Sequence, residues 1–275
     1  MLKSKIVSES DYNESWFAKA LTKLREPFFL YMKHMPLPFD NTIYHRKLWE
    51  WCYIYQGLLE RNMLIPFKKG LGFGVGKEPL ASLFASHGCY ITATDLDYSQ
   101  AVVQGWVDTN QHSQHIIDLC QYELCDPNTL MHLANFETVD MNCIPDHLAG
   151  LYDFTWSSCS FEHCGSIELG FQFILNQMKC LKPGGVAIHT TEYNLSSNDD
   201  TIESGITVIF RKKDIEQMVA ALRAEGHLVD IDYSVGAGNI ESYVDVPPYK
   251  QNPHLRLQLA QYVSTSIGLI IQKEK

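Results

Sequence analysis

The sequence predicts an α/β protein built on a parallel sheet with helices on both faces. Three observations carry this. From Phe67 onward, short β-branched segments alternate with amphipathic helical ones, and that alternation makes a parallel sheet covered on both sides. The first strand runs into the stretch KKGLGFGVGKEPL, with glycine at positions 72, 74 and 76. The second and third strands each close on an aspartate, Asp95 and Asp140.

Residues 1–66 precede this pattern and read as a helical cap outside the sheet. WFAKALTKLREPFFLYM and HRKLWEWCYIYQGLLERNML have helical apolar spacing, and the Pro-rich HMPLPFDNT breaks between them. The aromatics of this cap fit either a lid over a ligand edge or a homodimer face. Residues 67–275 form the main domain. FKKGLGF is its first strand. EPLASLFASHG follows as a helix, with Pro79 in the first turn and Gly88 just past the end. CYITATD is the second strand, SQAVVQGWVDT a helix, FETVDMN the third strand and YDFTWSS the fourth. Helix IELGFQFILNQMKCL and turn KPGG lead to strand VAIHTTEY. KKDIEQMVAALRAEG is an amphipathic helix with Ile215, Met218, Val219 and Leu222 on one face, and HLVDIDY and SIGLIIQK are the last strands.

Composition narrows the function. The formal charge of −10 disfavours broad binding to a nucleic-acid backbone. No apolar run reaches membrane-spanning length, and the first residues lack a signal-peptide core, so the expected setting is a reducing cytoplasm with free thiols. The eight cysteines contain no Cys-x-x-Cys pair, which argues against a structural zinc site.

In such sheets a ligand sits at the carboxyl ends of the strands, near the point where strand order reverses. Glycines there admit unusual φ values and let the backbone approach a ligand. Asp95 lies 19 residues beyond Gly76, where a carboxylate can accept both ribose hydroxyls of an adenosine ligand. An acid at Asp140 can receive an adenine amino group, with Met141 against the ring. The spacing G-x-G-x-G, rather than G-x-G-x-x-G, counts against a dinucleotide-binding oxidoreductase.

On GLGFGVG, TATDLD, TVDMN, YDFTWSSCSFEH and LKPGGVAIHTTEYN, the chain from Phe67 onward resembles the class I S-adenosylmethionine-dependent methyltransferases. The resemblance implies a Rossmann-like sheet of seven strands with the last antiparallel. It implies S-adenosylmethionine as cofactor, with contacts at Gly72, Phe73, Gly74, Gly76, Asp95, Leu96, Asp140, Met141 and Ser157. Family members often carry an acid two residues before the first loop glycine, where this chain has Gly70.

Methyl transfer needs an acceptor atom held in line and, for a hydroxyl, a proton removed. The fourth strand ends in SSCSFEHCG, so His163 is the expected base and Glu162 its companion. Some relatives bind a divalent ion here through Glu-x-x-Glu-His. This chain has Cys159 at the first of those positions, and Glu192 could replace it in space, which makes Glu162, His163 and Glu192 the metal candidates. The expected acceptor is an oxygen or nitrogen of a small polar molecule, a sugar or glycan among them. The alternatives are a methyltransferase-like binding module without turnover and an RNA-terminal ribose methyltransferase.

Overall fold

The computed structural model describes residues 1–32 and 42–275, so all but Thr42 of the Pro-rich break lies outside the described residues. A short strand, β1 (Ser4–Ile6), is followed by helix α1 (Ser15–Met32). Helix α2 (Arg46–Glu60) starts behind His45, whose Nδ1 accepts the Lys47 amide at 3.1 Å. Then come β2 (Lys69–Gly72), α3 (Leu80–Ser86), β3 (Tyr90–Asp95), α4 (Tyr98–Val103), α5 (Pro127–Leu133) and β4 (Ala134–Thr138). The second half holds β5 (Tyr152–Ser158), α6 (Ile167–Gln177), β6 (Leu181–Asn194) and α7 (Lys212–Ala224). It closes with β7 (Leu228–Val229), β8 (Ile231–Asp232), β9 (Leu257–Leu259) and β10 (Tyr262–Gln272).

The strands form one sheet in the order β4-β3-β2-β5-β6-β10-β1-β8, with β7 and β9 also on β10. β2 through β6 pair parallel, and β10 runs antiparallel to β6, as expected for the closing strand. The order reverses between β2 and β5, so a crevice opens beyond their carboxyl ends.

Side chains alternate across the sheet. Phe154, Trp156 and Ile188 point to one face, where Leu24 and Phe28 of α1, Trp49, Trp51 and Ile54 of α2 and Phe84 of α3 bury them. Leu71, Ala187, Leu269 and Ile271 point to the other, against Phe173 of α6 and Ile215, Met218 and Leu222 of α7. The predicted stripe of α7 is buried in full.

Four expectations change. The first 66 residues do not stay outside the sheet: Lys5 and Ile6 pair with Gly268 and Ile267 of β10, and Ser4 Oγ accepts the Ile270 amide at 2.8 Å. The reason is an open edge. β7 covers only Ile271 and Gln272 of β10, which leaves the neighbouring backbone groups for β1. The expected strand HLVDIDY is accordingly split, since Ile231 and Asp232 step outward to pair with β1. Finally, β4 ends at Thr138, so Asp140 and Met141 lie in the loop beyond it, and Pro79 is the N-cap of α3, one position before its first turn.

Candidate functional site

A cavity of about 750 Å³ lies beyond the reversal point. Its floor is the turn after β2. Gly74 and Gly76 both line it, with φ of +54° and +51°, a region costly for residues with a Cβ. A Cβ on Gly76 would sit 2.5 Å from the Gln111 carbonyl, and one on Gly74 would sit 2.9 Å from Ser160 Cβ. Gly72 differs. It lies within β2, outside the cavity lining, and its Cβ would fall 2.3 Å from the Trp156 ring. Phe73 also points away, buried edge-on against Phe173 at 5.1 Å. One of the three glycines thus makes room for an indole, and the other two shape the cavity.

At the end of β3, Asp95 and Leu96 line the cavity. The Asp95 carboxylate accepts the amides of Leu96 at 2.8 Å, Gly76 at 3.1 Å and Ser113 at 3.4 Å. Burial pushes its pKa up, against the pull of these amides and of His112. Two oxygens offer about four acceptor sites, so a site remains for a ligand. Beyond β4, Asp140, Met141 and Asn142 line the next wall, and Asp140 accepts the Asn142 amide at 2.8 Å.

The end of β5 supplies Ser158, Cys159 and Ser160. Ser157 is absent from this lining: it points to the opposite face, fully buried, with its hydroxyl 2.8 Å from His189 Nδ1. Cys159 adopts φ of +47°, and burial, then neighbouring Glu162 and Glu50, push its thiol well up, so it is no thiolate. Ser160 Oγ donates to the Gly74 carbonyl at 2.9 Å, tying this end to the glycine turn.

His163 lines the cavity, edge-on to Trp106 at 4.5 Å. Its Nδ1 lies 2.7 Å from the Ile206 carbonyl, which assigns the proton to Nδ1 and leaves Nε2 as the lone-pair nitrogen. Burial pulls its pKa down to about 4, so it is neutral at pH 7. Glu162 lies behind the wall, outside the cavity lining, and accepts the Thr191 hydroxyl at 3.0 Å. Burial, then the Glu192 carboxylate, push it up to about 8.

Of the three metal candidates the structure brings together Glu162 and Glu192, joined by Cys159, with donor atoms within 4.8 Å of one another; His163 stands apart. The Arg46 guanidinium already pairs with Glu192, whose other oxygen takes the Ser264 hydroxyl. A protonated acid, a thiol and a guanidinium-paired carboxylate are a poor donor set for a divalent ion.

The N-terminal segment contributes Tyr31, Lys47 and Trp51 to the cavity. Tyr31 and Trp51 belong to the cap aromatics that fit a lid over the ligand edge, whereas sequence spacing gave no sign of Lys47, Glu78, Trp106 and Ile206, which come from separate segments. Behind Lys47, the buried Glu50 carboxylate pairs with Lys47 Nζ at 2.8 Å and Arg46 at 3.4 Å. Burial raises its pKa, but Lys47 and Arg46 outweigh that and hold it at about 2.

The sheet order, the antiparallel closing strand and the crevice beyond β2 and β5 define the class I S-adenosylmethionine-dependent methyltransferase fold. No family model matches the sequence, and no curated protein does. Among solved structures, the [4+2]-cyclase SpnF is similar at a TM-score of 0.52 and 14% identity, over 95% of this chain and 97% of that one. 1,6-Didemethyltoxoflavin-N1-methyltransferase of Burkholderia thailandensis gives 0.47 and 8% identity, over 100% and 94%. An S-adenosylmethionine-dependent methyltransferase of Mesorhizobium loti gives 0.47 and 11%, over 80% and 97%. At such identities the likeness is one of fold. No helix among the described residues is long and apolar enough to cross a membrane.

Proposed function

We propose that the protein is an S-adenosylmethionine-dependent methyltransferase acting on an oxygen or nitrogen of a small polar acceptor. The observation that carries this reading is the convergence of Gly74, Gly76, Asp95, Leu96, Asp140, Met141 and His163 on one cavity at the reversal point. The cradle fits the cofactor: two glycines whose Cβ atoms would clash with cavity walls, a carboxylate with acceptor capacity to spare and a thioether beside a second acid. Asp95 would take the ribose, and Asp140 with Met141 the adenine. Bound there, the cofactor supplies an activated methyl group. Ser157, Gly72 and Phe73 have no part in this reading, and Glu162 serves as a brace behind the wall.

His163 is the residue placed to handle the acceptor's proton. Its Nδ1–H is committed to Ile206, so Nε2 would accept a hydrogen bond from a hydroxyl or amine. Tyr31, Trp51 and Trp106 give the cavity flat apolar walls. Lys47 and Lys77 are its lining lysines, Lys47 paired with Glu50 and Lys77 with Asn110. That is too little positive charge for an RNA backbone. Nothing in the lining selects a sugar over another small polar acceptor.

A second reading follows from the likeness to SpnF: this fold also houses a [4+2]-cyclase, so the chain could use the cavity for chemistry other than methyl transfer, or only for binding. Mass spectrometry of small molecules released from the purified protein, with calorimetry against S-adenosylhomocysteine, tests the cofactor reading. Methylated acceptor formed from labelled cofactor separates transfer from the second reading. A folded protein that binds neither S-adenosylmethionine nor S-adenosylhomocysteine overturns the methyltransferase reading.

A further inference from the structure

We propose that Glu78 and Lys47 clamp the two charged ends of the cofactor's amino-acid moiety, the Glu78 carboxylate taking the α-ammonium and the Lys47 ammonium the α-carboxylate. This rests on the reading of the cavity as an S-adenosylmethionine site.

The cavity's ionisable groups leave few choices. Asp95 ends β3 and Asp140 lies in the loop beyond β4, where the adenosine would lie. His163 stands by Trp106, and Lys77 is turned to the surface toward Asn110. His112 is committed to the Leu96 carbonyl at 2.7 Å, so Lys47 and Glu78 remain, a lysine and an acid that both line the cavity and lie close enough for the Lys47 charge to act on the Glu78 carboxyl. A zwitterion is the ligand chemistry that matches such a pair.

Each partner has unused capacity. Glu78 is 5% exposed, just ahead of α3, and Trp156 Nε1 donates to its Oε1 at 2.6 Å. That is the carboxyl's only hydrogen-bond partner among the described residues, so Oε2 is free for a ligand. Lys47 Nζ meets Glu50 at 2.8 Å and the Ser158 carbonyl at 3.3 Å, which leaves the third of its three N–H donors. Position 70, by contrast, has no room for an acid, because a Cβ on Gly70 would lie 2.3 Å from the Phe154 ring.

The electrostatics agree. Burial pushes the Glu78 carboxyl up to about 8, against the Trp156 hydrogen bond and the Lys47 charge. The ionisable groups that face it are Lys47 and Glu50 of α2, Asp95 at the end of β3 and Tyr31 of α1. A carboxyl that is mostly protonated at pH 7 ionises when an ammonium binds beside it, and the proton leaves to buffer.

The test is calorimetry at pH 7, in buffers of different ionisation enthalpy, on the wild type and Glu78→Gln. The ligands are S-adenosylhomocysteine, which keeps the amino-acid end, and 5′-methylthioadenosine, which lacks it. Gln retains an oxygen for the Trp156 indole, so the variant should fold. We expect Glu78→Gln to weaken S-adenosylhomocysteine by ~30-fold or more, to leave methylthioadenosine nearly unchanged and to abolish the proton release seen in the wild type. The wild type should also bind S-adenosylmethionine far more tightly than its decarboxylated form, through Lys47. Equal binding of S-adenosylhomocysteine by variant and wild type overturns the clamp, and so does equal loss of both ligands, which would make Glu78 a wall residue only. Equal binding of the decarboxylated form overturns the role of Lys47. A wild type that binds none of these ligands overturns the cofactor reading itself, an outcome distinct from the others.

Discussion

The Asp95 carboxylate accepts the amide of Gly76 at 3.1 Å, so the residue placed to hold a ribose also anchors the turn beneath it. Loop and acid are one unit. Asp95→Ala should therefore do two things. It should weaken S-adenosylhomocysteine by about tenfold or more, the loss of one hydrogen bond to a charged acceptor. It should also lower the melting temperature of the unliganded protein, because three backbone amides lose their partner. Calorimetry and thermal unfolding read the two effects separately. Unchanged affinity in a folded variant would remove the ribose assignment.

The glycines separate by role. Gly72→Ala should act on stability, since its methyl meets the Trp156 ring, with cofactor affinity little changed. Gly74→Ala forces a Cβ into φ of +54° and costs about 1–2 kcal/mol of stability, and it should weaken the cofactor as well. The opposite pattern, with Gly72→Ala selective for affinity, would reverse the assignment.

His163→Ala should lower turnover by ~10²–10⁴ while cofactor affinity stays nearly intact. Burial holds this imidazole at about 4, so its limb of the pH–rate profile belongs near pH 4, not near neutrality. A neutral-pH limb that vanishes in the variant would show that the acceptor's arrival resets the pKa.

Cys159 keeps its proton, and direct transfer needs no thiolate. Cys159→Ala should change turnover by roughly threefold at most, with no covalent methyl-enzyme on mass spectrometry. A methylated Cys159 peptide in the wild type would contradict this.

Glu162 links stability to pH. Its folded pKa is raised from 4.5 to about 8, so between those values the folded state holds a proton that the unfolded state has lost. That contribution is full below about pH 4.5 and fades as pH rises toward 8. Glu162→Gln removes the titration, so its melting temperature relative to wild type should climb steadily from pH 5 to pH 8. A difference that does not vary with pH would place the Glu162 proton elsewhere.

What the sequence made legible is local. The turn at Gly74 and Gly76 and the acid at Asp95 follow from strand–loop–strand spacing alone, and the structure sets them together. Ser157 shows the limit of such reading: along a strand a shift of one residue turns a side chain to the opposite face, and it is Ser158 that looks into the cavity. Gly72 poses a related difficulty, because a packing glycine and a ligand glycine look alike until the partner strand places Trp156 beside one of them. Lys47, Glu78 and Trp106 meet only through the fold, and no short motif joins them. The strand at Ser4–Ile6 is too brief to announce itself by alternation.

The pairing of Lys5 with Gly268 sets an order on synthesis. Residues 4–6 are made long before their partner strand, residues 262–272. The aromatic helices Ser15–Met32 and Arg46–Glu60 meet Phe154, Trp156 and Ile188 earlier, but the part of their cover that Ile270 supplies must wait for β10. A chain shortened before Tyr262 would thus lose β10 and with it a pairing partner of β1, so damage to one strand would be felt at the other.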